Sequence, residues 1–355
     1  MYRALSLALV AIPAVAVAQT PTPVTEWVVP FRMDAGGMLH DEVPGTSREG
    51  TRPRDPYVHP DGRVFFCGQQ GNYIGSLDPQ TGVFRRYELA PGTHPHNLII
   101  DANGMVWYAG NRNSHIGKLD PESGEITRYP MPDPAVRDPH TLIWDRNGDI
   151  WFTAQQANVV GKLTVSSGNI RIIEVPTRGA RPYGVVMDAA GRAPWVALFG
   201  TNKLATVDPV TMEMREIELP RAAARPRRLA VTTDGAVWYV DYAGGRLGRY
   251  DPASGVVNEW LTPGGEGSRP YAMTVDDADR LWFFEGPRAT PVRLVGFDSE
   301  AQQVVSLTEL ESGPGTVRHM MYDGASGTIW FGADANTIGR VSVPPGGAPL
   351  PMPSD

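Results

Sequence analysis

The chain lacks most of the features that would give it a quick assignment. It has one cysteine, Cys67, in 355 residues. A single thiol forms no internal disulfide, so the fold must hold without one. There is no block of basic residues: 32 Lys and Arg stand against 39 Asp and Glu, for a net charge of −7. That argues against a nucleic-acid partner. Runs of like charge, the mark of solvated tails, are missing as well. No apolar stretch reaches the ~20 residues of a membrane-spanning helix. The apolar run near the start, Ala4 to Val15, follows Arg3 and leads into Ala16-Val17-Ala18. A basic start, a short apolar run and a small-x-small site read as a secretory signal peptide over residues 1–18. No cysteine follows that could carry a lipid. The expectation is a secreted or periplasmic protein, a monomer, with no stable membrane insertion.

What is present points to turns and strands. The chain has 39 Gly and 33 Pro, with 41% hydrophobic residues. Seven times a short phrase returns, as in Asp138-Pro139-His140-Thr141-Leu142-Ile143-Trp144-Asp145-Arg146-Asn147-Gly148-Asp149-Ile150-Trp151-Phe152. Its aromatic anchors are Phe65, Trp107, Trp151, Trp195, Trp238, Trp282 and Trp330, at steps of 42, 44, 44, 43, 44 and 48 residues. A steady period of about 40–45 residues with several short strands each is the pattern of β-propeller blades. Each copy gives an inner strand after x-Pro-x, a polar Asn-Gly or Asp-Gly turn, the anchor strand, an Ile-Gly strand and an outer strand after Asp-Pro-x-x-Gly. The last copy stops at Val343 without an outer strand, and Val24 to Val29 supplies one from the other end. The expected fold is all-β: one seven-bladed propeller over residues 19–355, closed by its N-terminal strand. An irregular insert at about 31–51 holds Met33, Met38 and His40. Thioether and imidazole can bind copper, but a loop without metal is the plainer reading.

The residue after the innermost proline recurs eleven positions before the anchor, or twelve in blade 4. It reads Arg54, His96, His140, Tyr183, Arg227, Tyr271 and His319. These residues start the strands nearest the axis and should meet at one mouth of the channel, where a small-molecule or peptide-like substrate would bind. In blade 7, Arg318 replaces the proline. Three and four residues past the anchors comes a second ring, acidic only at Asp241, Glu285 and Asp334 in blades 5 to 7. Carboxylates beside a histidine suit a cation such as Mg2+ and a general base. They could equally pair with Arg227, Arg54 or backbone N–H groups.

The run Pro139-His140-Thr141-Leu142-Ile143, then Asn147-Gly148-Asp149-Ile150-Trp151-Phe152-Thr153, then Gln155-Gln156-Ala157-Asn158-Val159-Val160-Gly161-Lys162-Leu163 resembles the streptogramin B (virginiamycin B) lyase family of seven-bladed propellers. The resemblance covers about Arg52 to Val343. It implies elimination at an ester bond of a cyclic depsipeptide, with Mg2+. It implies His319 as the catalytic histidine and Asp334 at the place of a metal-binding Glu. Val317 stands where the family has its second metal-binding Glu, and Tyr271 where it has a substrate-contacting His. Glu285 and Asp241 are further metal candidates from the residues alone. Two other functions stay open: a non-catalytic binding propeller using Arg54, His96, His140, Tyr183, Arg227 and Tyr271, and a calcium-dependent lactonase-type hydrolase using Asn111, Asp241 and Glu285.

Overall fold

The computed structural model describes residues 7–9, 22–34, 38–41, 49–286, 291–310, 312–313 and 315–343. Among them there is no helix. Of the expected signal peptide only Leu7–Leu9 is described, lying parallel to the outer strand Val257–Leu261 of blade 5; the rest lies outside the described residues.

The chain forms seven antiparallel four-stranded blades around an axis. Six are continuous in sequence, and the inner strands run from Pro53–Val58 in blade 1 to Val317–Asp323 in blade 7. The local chemistry explains the repeat. Asp101 sits six residues before its anchor. Its Oδ1 accepts the N–H groups of Asn103 and Met105, which shapes the turn, and its Oδ2 accepts the Trp107 indole N–H at 3.0 Å. Asp145 and Asp276 do the same for Trp151 and Trp282. A buried indole needs such a partner. Phe65 has no N–H to satisfy, and His59 takes the aspartate's place. The Ile-Gly strand has an equally direct cause. A Cβ on Gly161 would lie 2.2 Å from the Phe152 ring, so only glycine lets the third strand pass.

Closure of the ring follows the same code. Val24–Val28 pairs antiparallel with Thr337–Ser342, from Val24↔Val341 to Val28↔Thr337. Trp27 then stacks on Trp330 at 5.6 Å, as Tyr129 stacks on Trp107 and Trp260 on Trp238. The N-terminal strand is thus an outer strand moved to the other end of the chain. The Asn336 side chain fixes the joint: its amide donates to Val29 O at 2.8 Å and its oxygen accepts Thr51 N–H at 2.7 Å. The insert differs from the irregular loop expected. Phe31–Met33, Leu39–Asp41 and Glu49–Gly50 form a small three-stranded sheet. It is anchored because Phe31 and Met33 are buried, Phe31 edge-on to Tyr73. Met38 is exposed and His40 bonds Asp34, so these residues do not gather around a metal.

Six of the seven inner strands carry one extra residue near their start, for example between Arg54 and Tyr57 opposite Cys67 and Phe65. Such bulges re-aim side chains. Here they turn two successive residues, instead of one, towards the axis. In blade 6 the inner strand begins only at Met273, after Tyr271. Arg52, His94, Arg181 and Arg269, each preceding a proline of this ring, have φ of +54°, +53°, +51° and +48°. A residue before proline normally avoids that region, and each such position costs about 1–3 kcal/mol.

Candidate functional site

The seven ring residues do gather at one end of the axis, but as a packed layer and not as an open mouth. Arg54, His96, His140, Tyr183 and Tyr271 are buried. His96 and His140 lie tilted against each other at 3.7 Å between ring centres, with 37° between their planes, and His140 meets Tyr183 at 4.2 Å. The Tyr183 and Tyr271 hydroxyls are hydrogen-bonded to each other across blade 5. Arg227 donates to Tyr271 Oη at 2.9 Å and is enclosed by the rings of Tyr183, Phe199, Tyr242 and Tyr271, at 3.8–4.8 Å from their centres.

Directly beneath lies a second layer made by the next residue of four bulged strands, Asp55, Asn97, Thr141 and Arg228, joined by His319. Asp55 is fully buried and accepts Arg54 Nε at 2.6 Å and Asn97 Nδ2 at 3.2 Å. Arg228 crosses the channel, with Nη1 donating to Thr141 Oγ1 at 3.0 Å and Nε to Arg318 O at 3.2 Å. Its Nη2 is 3.7 Å from Asp55 Oδ1. His319 Nδ1 is 3.4 Å from the same carboxylate oxygen, an ion-pair distance and not a hydrogen bond. Two guanidiniums, from Arg54 and Arg228, thus share one carboxylate, while Arg227 is held by tyrosines. The buried Arg54 Nη2, Arg228 Nη2, Arg227 Nε, His96 Nδ1 and His319 Nδ1 have no hydrogen-bond partner among the described residues.

The electrostatics follow from this surplus. Burial works against an ionised Asp55, but Arg54, His319 and Arg228 outweigh it and hold the carboxyl below its ordinary range. Burial and Arg228 push His319 down to about 3, with Asp55 opposing. Burial and the arginines also push His96 and His140 well down. Neutral imidazoles are the only ones that stack closely without repulsion. Burial alone would raise the Tyr183 phenol; Arg227, Arg228 and Arg54 overcome it and bring the phenol to about 7.

From this double layer a channel of ≈ 440 Å³ runs along the axis to the opposite face. Asn97, Thr141, Arg228 and His319 line it at the closed end, and His319 alone of the ring residues takes part in its wall.

The three carboxylates expected to hold a metal do not come together. Asp241 is buried, pairs with Arg221, and accepts the N–H of Arg225, Ala243 and Gly244. Glu285 accepts Arg293 Nη1 at 3.3 Å and Gly264 N–H at 3.1 Å. Asp334 pairs with Arg318. Each is neutralised by an arginine of its own blade region, and none of those arginines is the Arg227 or Arg54 expected. Among the described residues no three His, Cys, Asp or Glu side chains come together to hold a cation. A guanidinium on each carboxylate is the wrong environment for Mg2+ or Ca2+, so the donor set does not fit the ion. The lactonase-type cluster is not assembled either: Asn111 donates to Pro139 O instead. Val317 is buried in an apolar cluster with Phe284 and Phe331.

Sequence reasoning missed Asp55, Asn97, Thr141 and Arg228. The signal was available one position after the ring, where four of seven copies are polar or charged.

The fold and the double layer define a seven-bladed propeller whose axial channel ends in a buried histidine–arginine–carboxylate cluster. The profile of the Virginiamycin B lyase family matches residues 46–341, and the chain belongs to that family. No curated protein matches. A solved streptogramin B lyase is 26% identical, over 90% of this chain and 97% of its own, with a TM-score of 0.75. A catalytically inactive virginiamycin B lyase from Staphylococcus aureus with quinupristin is 24% identical, over 91% and 99%, with a TM-score of 0.75. Hydrazine synthase from Kuenenia stuttgartiensis shares the fold at 14% identity, over 85% and 99%, with a TM-score of 0.67.

Proposed function

We propose that this chain is an exported lyase-type enzyme whose reaction centre is the closed end of the axial channel, with His319 as proton acceptor. One observation carries the reading: at the floor of an open channel, His319 Nδ1 faces the buried, ionised Asp55 at 3.4 Å. A carboxylate at Nδ1 selects the tautomer with its lone pair on Nε2. Arg228 and Thr141 stand beside it as cation and donor for a carbonyl that gains negative charge. The step balances as an elimination. His319 takes the proton from the carbon next to the carbonyl, that electron pair forms the carbon–carbon double bond, and the C–O bond to the acyloxy group breaks to release a carboxylate. No step is assigned to a divalent ion, because Asp241, Glu285 and Asp334 are occupied by arginines. The packed ring turns away a bulky macrocycle on its own side, so a slender acyloxy compound is the better substrate.

The test is elimination assayed on quinupristin and on a medium-chain β-acyloxy carboxylate, with Mg2+ and with chelator. Turnover of the second compound in chelator, lost in His319→Ala, supports the proposal; full activity in His319→Ala overturns it. The second reading, a non-catalytic binding propeller, is favoured by the depression of His319 to about 3, which makes it a weak base before any anion arrives. Tight binding of both compounds with no turnover of either would select it.

A further inference from the structure

The channel has a property that elimination alone does not require: its two ends differ in chemistry. The closed end presents Arg228, His319, Thr141 and Asn97, and the walls towards the open end carry Ile143, Met187, Val231 and Met321 together with Thr274 and Tyr322. Arg228 is 3% exposed and its Nη2 has no hydrogen-bond partner among the described residues. A buried guanidinium donor left unmade is costly, and it lies at the floor of a cavity of ≈ 440 Å³. That volume is within the range of about 300–1,000 Å³ typical of small-molecule sites. Three steps of inner strand, as from Arg228 to Val231, separate the floor from the rim, roughly 10 Å at the strand rise. Methionine side chains in its wall adapt to an apolar chain without fixing its shape.

We propose that the axial channel binds a linear amphipathic monocarboxylate, entering tail-last from the face opposite the ring and placing its carboxylate on Arg228 Nη2 beside Thr141 and His319. This rests on the reading of the closed end as the reaction centre and names its substrate class: a carboxylate with a slender apolar chain. The charge of the cluster agrees, since Arg54 and Arg228 share Asp55 as their one carboxylate and Arg227 beside them has only tyrosine partners among the described residues. The same surplus draws the Tyr183 phenol down to about 7. An arriving carboxylate takes over that neutralisation, so its binding shifts Tyr183 back towards the protonated phenol.

The experiment is calorimetric titration of the full chain with decanoate, decanol, decylamine and acetate, with phenolate absorbance followed at neutral pH. Decanoate binds and lowers the phenolate absorbance. Decanol binds about tenfold to a hundredfold more weakly, the equivalent of one charge-assisted interaction, and acetate more weakly still, for want of the apolar chain. Decylamine does not bind. Arg228→Met removes decanoate binding. Because that change also strips Asp55 of a partner, Thr274→Trp provides a second variant: it fills the channel wall away from the cluster and blocks decanoate while the thermal midpoint is kept. Equal affinity for decanol and decanoate, or wild-type decanoate binding in a folded Thr274→Trp protein, overturns the proposal. Binding is read without turnover, so the two proposals fail separately. Decanoate binding with full activity in His319→Ala defeats the enzyme reading alone. His319-dependent turnover of quinupristin with no decanoate binding defeats the channel proposal alone.

Discussion

Asp241, Glu285 and Asp334 each meet an arginine of their own, and the first two also accept backbone N–H groups. Arg54, Arg228 and His319 instead converge on the single carboxylate of Asp55 and keep buried donors unfilled. Both regions are charged, and both are built from residues at repeating places in the blades. The first is complete without a ligand and ties loops to strands. The second carries a deficit of negative charge at the floor of a channel. Unmet charge and donors, more than acidic residues as such, mark the place where chemistry can happen.

The comparison is broken most forcefully from the outer region. Asp241→Ala leaves Arg221 with only Glu259 as carboxylate partner and three backbone N–H groups without their acceptor. Each buried donor left unsatisfied costs about 1–3 kcal/mol. Chemical denaturation should show that loss, while decanoate affinity of the folded fraction stays at the wild-type value. Loss of binding at intact stability would erase the distinction. In the inner region His319→Ala should do the reverse. Turnover falls by about 10²–10⁴, the usual worth of a positioned base, with the denaturation midpoint little changed.

The fold was legible because its code is local. Asp101 shapes a turn and satisfies an indole six residues later, and Gly161 makes room for Phe152. Such contacts repeat at fixed offsets, and so did the ring from Arg54 to His319. The second layer was hidden because a regular strand would point Asp55 and Arg228 away from the axis. The bulge that turns them inward leaves no mark in composition. The arginines on the carboxylates were hidden for another reason. Arg221, Arg293 and Arg318 come from an entry loop, a third strand and an inner strand, at no common spacing.

Acid sharpens the contrast next. His319 is held down to about 3 and His96 and His140 well down, whereas in the unfolded chain each titrates near 6.5. Below pH 6.5 the unfolded state therefore binds more protons, and stability falls as pH drops from about 6.5 towards 3. Denaturation curves should show that slope, and it should flatten in a His140→Gln variant. Tyr183 works on the alkaline side. Its phenol titrates near 7 when folded and near 10 when unfolded, so stability increases from pH 7 to pH 10. Tyr183 and Tyr271 share this ionisation, so changing both to Phe should remove the rise and the phenolate absorbance at neutral pH.

The smallest expected effect is none. With arginines on all three outer carboxylates, Mg2+ or chelator should leave the thermal midpoint unmoved; a metal-dependent rise would show a bound ion and restore the outer region as a site.

The most direct test of the account is a crystal structure of the protein with decanoate. The account predicts the carboxylate within about 2.7–3.2 Å of Arg228 Nη2, at the closed end, with the alkyl chain along the channel. A carboxylate seated on the outer arginines Arg221, Arg293 or Arg318, with the channel floor unchanged, would contradict it.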